Sequence, residues 1–245
     1  MENKLTIICC YNNKDVYNNM LFKSIKKQTM DAEIIALDNS TNKFNSAAEA
    51  LNYGAAIATG KYLIFAHQDI EFYDNQFFEV IVNKLNELYP SIIGIAGTGT
   101  GNSGVYTNIK HGKNSEFAGN NRILSSTKVM TLDEVFVAVE RNLFLKYKFD
   151  ERTCDNWHLY TVELCLSMGK NNIPSYVIPS DAYHKSTGVL SMDYYKTLDS
   201  LVKKHRGNYD VIYSTCSTAP TKVIPYQLFR QKINIKSIVK TLQSK

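Results

Sequence analysis

The order of apolar runs along this chain predicts an α/β protein, a mainly parallel sheet flanked by helices in the Rossmann-like manner. Two observations carry that expectation. Three compact apolar runs, 5–10, 32–37 and 62–66, each stop abruptly in polar residues, and the segments between them space their apolar residues at helical intervals. Strands alternating with helices in this way form βαβ units, whose parallel strands are covered on both faces.

The first run, 5–10 (LTIICC), is rich in β-branched residues and exits into Tyr11-Asn12-Asn13. Val16, Met20, Leu21 and Ile25 then predict a helix over 16–28. The second strand, 32–37 (AEIIAL), ends at Asp38-Asn39-Ser40, and an alanine-rich helix over 44–59 is expected to close at Gly60. The third strand, 62–66, runs into His67-Gln68-Asp69. A helix over 75–88 and a fourth strand over 91–96 complete the regular alternation.

Residues 97–122 are rich in glycine and asparagine without a sustained period and read as a long loop. They include Gly99-x-Gly101-x-x-Gly104, formally a dinucleotide fingerprint, but the VYTNIKHG that follows has no helical period, so the match predicts only a loop. Strand character resumes over 131–139. A helix over 157–168 turns Leu159, Val162, Cys165 and Leu166 inward, a short strand occupies 176–178, and a further amphipathic helix spans 193–205. Beyond Tyr226, Leu228, Ile235, Ile238, Val239 and Leu242 fall on one helical stripe beside Lys232, Lys236 and Lys240. The expected organisation is therefore an α/β domain over 1–221 and a basic amphipathic helical tail over 222–245.

With 245 residues, 44% of them hydrophobic, the chain can bury a full core. No window approaches the ~20 apolar residues of a membrane-spanning helix, and the start MENKLTIICC lacks the pattern of a secretion signal, so a cytoplasmic location is expected. The five cysteines have no C-x-x-C spacing and read as reduced thiols rather than a disulfide framework or a zinc knuckle. The net charge of +5 is uneven: no acidic residue follows Asp210, while six of the basic ones do. A neutral body argues against nucleic acid as a partner. A basic tail suits an anionic membrane surface or, equally, packing on the body or on a second subunit.

The chemistry concentrates where the third strand ends. In an extended segment residues two apart point the same way, so His67 and Asp69 can converge on one object, a divalent cation for instance, while Gln68 points elsewhere. From these residues alone, an Asp that caps the next helix and a hydrogen-bonded His fit equally well.

Taken in order, IICCYNN, ALDNS, AAEALNYGAAIATGKYLIFAHQDIEF, FDERTCDNWHLYTVELCLSMG and AYHKS resemble the blocks of family 2 nucleotide-sugar glycosyltransferases over about the first 190 residues. The closest likeness is to the branch with His-Gln-Asp in place of the Asp-x-Asp metal motif. The resemblance implies a GT-A fold and a nucleotide-binding site drawn from Cys10, Tyr11, Asp38, Asn52, His67 and Gln68. It also implies a divalent cation held by Asp69 and His184, with manganese favoured over magnesium because imidazole joins the ligand set. His67 stands where the family's first Asp would be and is left open between metal and nucleotide. Glu163 is the first choice for the carboxylate base and Asp155 the second, since Thr161 replaces an acidic residue frequent in that branch. Trp157 and His158 are expected to meet the acceptor.

The expected reaction moves a sugar from a nucleotide-diphosphate donor to a glycan or lipid-linked saccharide, with inversion, in bacterial surface polysaccharide assembly. The alternatives are an inactive sugar-nucleotide-binding module and a metal-dependent nucleotide-sugar hydrolase.

Overall fold

The three apolar runs of the N-terminal half become adjacent parallel strands, the first and third buried on both faces and the second half-buried at the edge of the sheet. The computed structural model describes residues 5–101, 103–186 and 190–222. The predicted tail helix lies outside those residues. Strand β1 (Leu5–Tyr11) leads into a helical stretch made of α1 (Lys14–Tyr17), a π-turn (Asn18–Phe22) and α2 (Lys23–Ile25). Asn13 caps it by accepting from the Val16 N–H at 3.0 Å. Then come β2 (Ala32–Asp38), α3 (Ala47–Ile57), β3 (Tyr62–Ala66), β4 (Ile70–Phe72) and α4 (Phe77–Glu87). The Ser46 side chain caps α3, which stops at Ile57, so Gly60 lies in the loop rather than at the helix end.

The fourth strand divides in two. Strand β5 (Ile92–Gly94) joins the main sheet, and β6 (Ala96–Thr98) leaves it for a small one. The segment expected to be a loop contains β7 (Val105–Thr107), β8 (Lys110–His111) and β9 (Glu116–Phe117), strands too short to show periodicity. Its glycine triplet makes the β6–β7 turn: Gly101 and Gly104 take φ of +69° and +72°, and Thr98 Oγ1 donates to the Gly104 carbonyl at 2.9 Å. After β10 (Thr127–Val129) and β11 (Thr131–Leu132), β12 (Phe136–Glu140) leads into α5 (Arg141–Tyr147). Helix α6 (Tyr160–Gly169) begins later than predicted because Leu159 is left-handed, with φ 63°. Strands β13 (Ser175–Val177) and β14 (Ala182–His184), helix α7 (Met192–His205) and the hairpin β15 (Val211–Tyr213) and β16 (Thr218–Pro220) complete the described chain.

The main sheet has seven strands in the order β10-β13-β5-β12-β3-β1-β2. The pairs β1–β2, β1–β3 and β5–β13 are parallel, whereas β12 runs antiparallel between β3 and β5. Side-chain alternation divides the core. Ile7, Ile64, Phe78 and Phe136 pack on one face, and Ile8, Leu63, Phe65 and Val137 on the other with α3, α5 and α6. A Cβ at Gly54 would lie 2.5 Å from Ile8 Cγ2, so glycine there lets α3 sit close on β1. A third cluster joins α6, α7 and the last hairpin through Leu166, Leu198, Leu201 and Ile212.

Candidate active site: a metal corner at the carboxyl end of the sheet

Parallel pairing brings the exits of β1, β2 and β3 to one edge of the sheet. Tyr11 pairs with Asp38, and β1 and β3 are in register up to Ile8 and Phe65. Beyond Ala66 the chain stays pinned, since the His67 N–H donates to the Val135 carbonyl at 3.1 Å. Strand β4 then runs antiparallel to β14 with His184 opposite Ile70, which sets His184 beside Asp69.

The result is a compact polar corner. His184 Nε2 lies 3.2 Å from Asp69 Oδ1, and Ser186 donates to Asp69 Oδ2 from its hydroxyl at 2.6 Å and its backbone N–H at 3.2 Å. The His67 and His184 rings are 5.6 Å apart, and the Tyr160 hydroxyl is 3.5 Å from His67 Nε2. Burial works to raise the Asp69 pKa, but the His184 and Ser186 hydrogen bonds with both imidazoles outweigh it and hold the carboxyl well below its usual range. Burial, with His184 close by, lowers the pKa of His67, so its ring is neutral at pH 7.

One ligand atom from each of His67, Asp69 and His184 falls within 4.8 Å of the other two. Donors about 2.0–2.2 Å from a shared ion stand about 3–4.4 Å apart, so a small contraction makes this set a three-point site. Two imidazoles and a carboxylate suit a first-row transition ion better than magnesium. The corner therefore fits a divalent cation, and His67 offers it a third ligand atom.

A cleft of about 360 Å³ opens on this corner. Of the predicted site residues, Cys10, Tyr11, His67, Gln68, Asp69 and Trp157 line it. Tyr11 presents little of its ring, because that ring stacks on Tyr17 at 4.8 Å. Burial pushes the Cys10 thiol up to about 12, with Asp38 adding to the shift, so it is no nucleophile. Trp157 is 42% exposed and offers an open aromatic face at the mouth.

Other predicted residues stand elsewhere. Asp38 is exposed at the end of β2 and accepts from the Ser40 N–H at 2.8 Å. Asn52 does not line the cleft: its amide donates to the Phe149 carbonyl at 2.9 Å and accepts from the Phe149 N–H at 3.1 Å, tying α3 to the loop before α6. His158 packs on the Tyr194 ring with Ser191 Oγ 3.2 Å away, next to the mouth but not in its wall. Asp155 is exposed, two residues before Trp157.

Glu163 is sealed inside, 1% exposed. Its Oε1 accepts from Ser167 at 2.6 Å and Lys204 at 2.5 Å, with His205 Nε2 at 3.4 Å. Burial works to raise its pKa, and those partners more than reverse it. The apolar frame around it in sequence reflected this interior position.

Sequence reasoning passed over Ser186, Tyr160, Asn12 and Asn39. Ser186 carried a signal, since it follows His184 by two. Tyr160 carried none, because only the left-handed Leu159 turns it toward His67.

Fold and site together define an α/β protein with a candidate metal site at the carboxyl end of its sheet. The family model described as "Glycosyltransferase like family" matches residues 6–205, and the chain belongs to that family. No curated protein matches it. Among solved structures, GalNAc-T7 with UDP, GalNAc and Mn²⁺ is 10% identical with a TM-score of 0.59, over 81% of this chain and 47% of that one. TarS 1-349 of S. aureus in complex with UDP-GlcNAc is 13% identical with a TM-score of 0.52, over 85% and 68%. The mannosyltransferase PcManGT from Pyrobaculum calidifontis, with GDP-Man and Mn²⁺, is 12% identical with a TM-score of 0.55, over 84% and 65%. The chain thus spans about half the length of the first of these. The likenesses establish the GT-A type of fold.

Proposed function

We propose that this protein transfers a sugar from a nucleotide-diphosphate donor to a saccharide hydroxyl, with inversion and with a divalent cation at the metal corner. The observation that carries the reading is the three-ligand cluster of His67, Asp69 and His184 at the mouth of a cleft beyond the carboxyl ends of parallel strands. Bound there, the cation supplies the positive charge that a departing diphosphate needs. The structures of GalNAc-T7 and PcManGT, each with a nucleotide and Mn²⁺, support manganese in that role.

The chain's own residues supply the rest. The exits of β1 and β2, with Cys10, Tyr11, Asn12 and Asn39, form the wall for the nucleoside. Trp157, exposed in the cleft lining, suits the apolar face of a sugar ring, with His158 next in the chain. In the transfer the bond from the sugar's anomeric carbon to the diphosphate oxygen breaks and one to the acceptor oxygen forms, and the acceptor's proton goes to a carboxylate. We assign that proton to Asp155, solvent-exposed and two residues before Trp157 in the chain, whereas Glu163 is buried and its Oε1 is already committed to Ser167 and Lys204 with His205 close by.

The test is nucleotide release from UDP- and GDP-sugars with Mn²⁺, with and without saccharide acceptors. Acceptor-dependent release supports transfer; release without acceptor identifies a hydrolase, and binding without release an inactive module. Asp155→Asn is expected to lower kcat by about 10²-fold with donor KM little changed. An unchanged kcat would remove Asp155 from the role.

A further inference from the structure

Strands β1 and β3 separate where the cleft begins. Their pairing ends at Ile8 and Phe65, yet β1 continues to Tyr11 and β3 to Ala66. One side chain bridges the gap. Gln68 Oε1 accepts from the backbone N–H of Asn12 at 3.2 Å and of Asn13 at 3.0 Å, and Gln68 Nε2 donates to Asn12 Oδ1 at 2.8 Å. Asn13, held in this way, caps the helical stretch that follows. The turn between β3 and β4 sets the division of labour: His67 and Asp69 converge on the metal corner, and the residue between them reaches the Asn12–Asn13 backbone.

We propose that Gln68 is a positioning residue that couples the two halves of the donor site. It ties the Asn12–Asn13 turn to the peptide carrying His67 and Asp69, so that a nucleoside diphosphate at the end of β1 and a cation at the corner strengthen each other's binding. The proposal rests on the donor reading given above. Its physical basis is that each ligand stabilises one end of a shared hydrogen-bonded clasp, and such coupling is reciprocal. With both lone pairs of the amide oxygen and one amide hydrogen engaged, little of Gln68 remains for direct contact with a ligand.

Two measurements on the full chain test it. The first is amide hydrogen exchange without ligand: Gln68→Ala is expected to speed exchange at Asn12 and Asn13 about tenfold or more while Ile7 and Ile8 in β1 keep their protection. The second is calorimetric titration of UDP and GDP with and without Mn²⁺. In the wild type Mn²⁺ should tighten nucleotide binding; in Gln68→Ala this enhancement should fall about tenfold, and by less in Asn12→Ala, which removes one of the three bonds. Affinity for Mn²⁺ alone should change less than about twofold in either variant.

Unchanged exchange at Asn12 and Asn13, or an unchanged Mn²⁺ enhancement in Gln68→Ala, overturns the proposal and leaves the donor reading intact. A wild-type protein that binds neither nucleotide overturns both.

Discussion

Asp69 with His184 and Glu163 with His205 are the same pair of functional groups in two different settings. Asp69 sits where a strand leaves the sheet, beside a cleft, and its partners are a second imidazole and a small hydroxyl. Glu163 lies inside α6 under α7, and its partners are the Lys204 ammonium, a hydroxyl and a fully buried His205. Lys204 also reaches Asp150 at 2.6 Å, so the second cluster ties the loop before α6 to α7. The first cluster opens on a cleft; the second is closed in by α7, with Ser167, Lys204 and His205 all gathered on one carboxylate oxygen. A buried carboxylate in a helix is therefore ambiguous until its partners are known, because catalysis needs an available oxygen and packing needs none.

That contrast can be broken most sharply at Asp69. Asp69→Ala is expected to lower metal-dependent turnover by about 10³-fold or more, because the cluster loses its one carboxylate, while the melting temperature shifts by only a few degrees. Metal-dependent turnover close to wild type would remove Asp69 from the site.

Glu163→Gln should show the opposite profile. It leaves Lys204 and His205 without their shared charge, for an expected loss of about 2 kcal/mol, moderated because Lys204 is partly exposed and keeps Asp150. Denaturant unfolding measures this, and Mn²⁺ affinity in the folded variant should match wild type. A catalytic loss without a stability loss would return Glu163 to the reaction.

The smallest effect lies in pH. The Glu163 and Asp150 carboxyls are held below their ordinary values, so their contribution to stability is present above the unfolded carboxylate pKa and lost as pH falls through the folded ones. The melting-temperature gap between wild type and Glu163→Gln should stay constant from pH 6 to 8 and narrow below about pH 4. A gap that persists at pH 3 would assign the loss to packing instead of charge.

The strand exits were legible in the sequence because buried parallel strands are continuous apolar runs, and polar residues must mark where they end. The meeting of His67 with Asp69 was legible in their i, i+2 spacing, and that of His184 with them in the family resemblance. That Asn52 lies outside the cleft could not be read from sequence, since an amide that clasps a loop and one that meets a nucleotide occupy similar polar positions. Strands β7–β9 were invisible because two or three residues carry no period. The late start of α6 depends on the left-handed Leu159, a conformation for which leucine gives no warning.

The most direct test of the metal corner is a Mn²⁺ titration followed by electron paramagnetic resonance on wild type, Asp69→Ala, His184→Ala and Glu163→Gln. One site per chain is expected in wild type and in Glu163→Gln, weakened about 10²-fold or more when Asp69 or His184 is removed. Binding that survives in both Asp69→Ala and His184→Ala, or that is lost in Glu163→Gln with the fold intact, would contradict the assignment of the open cluster as the metal site and the sealed one as structure.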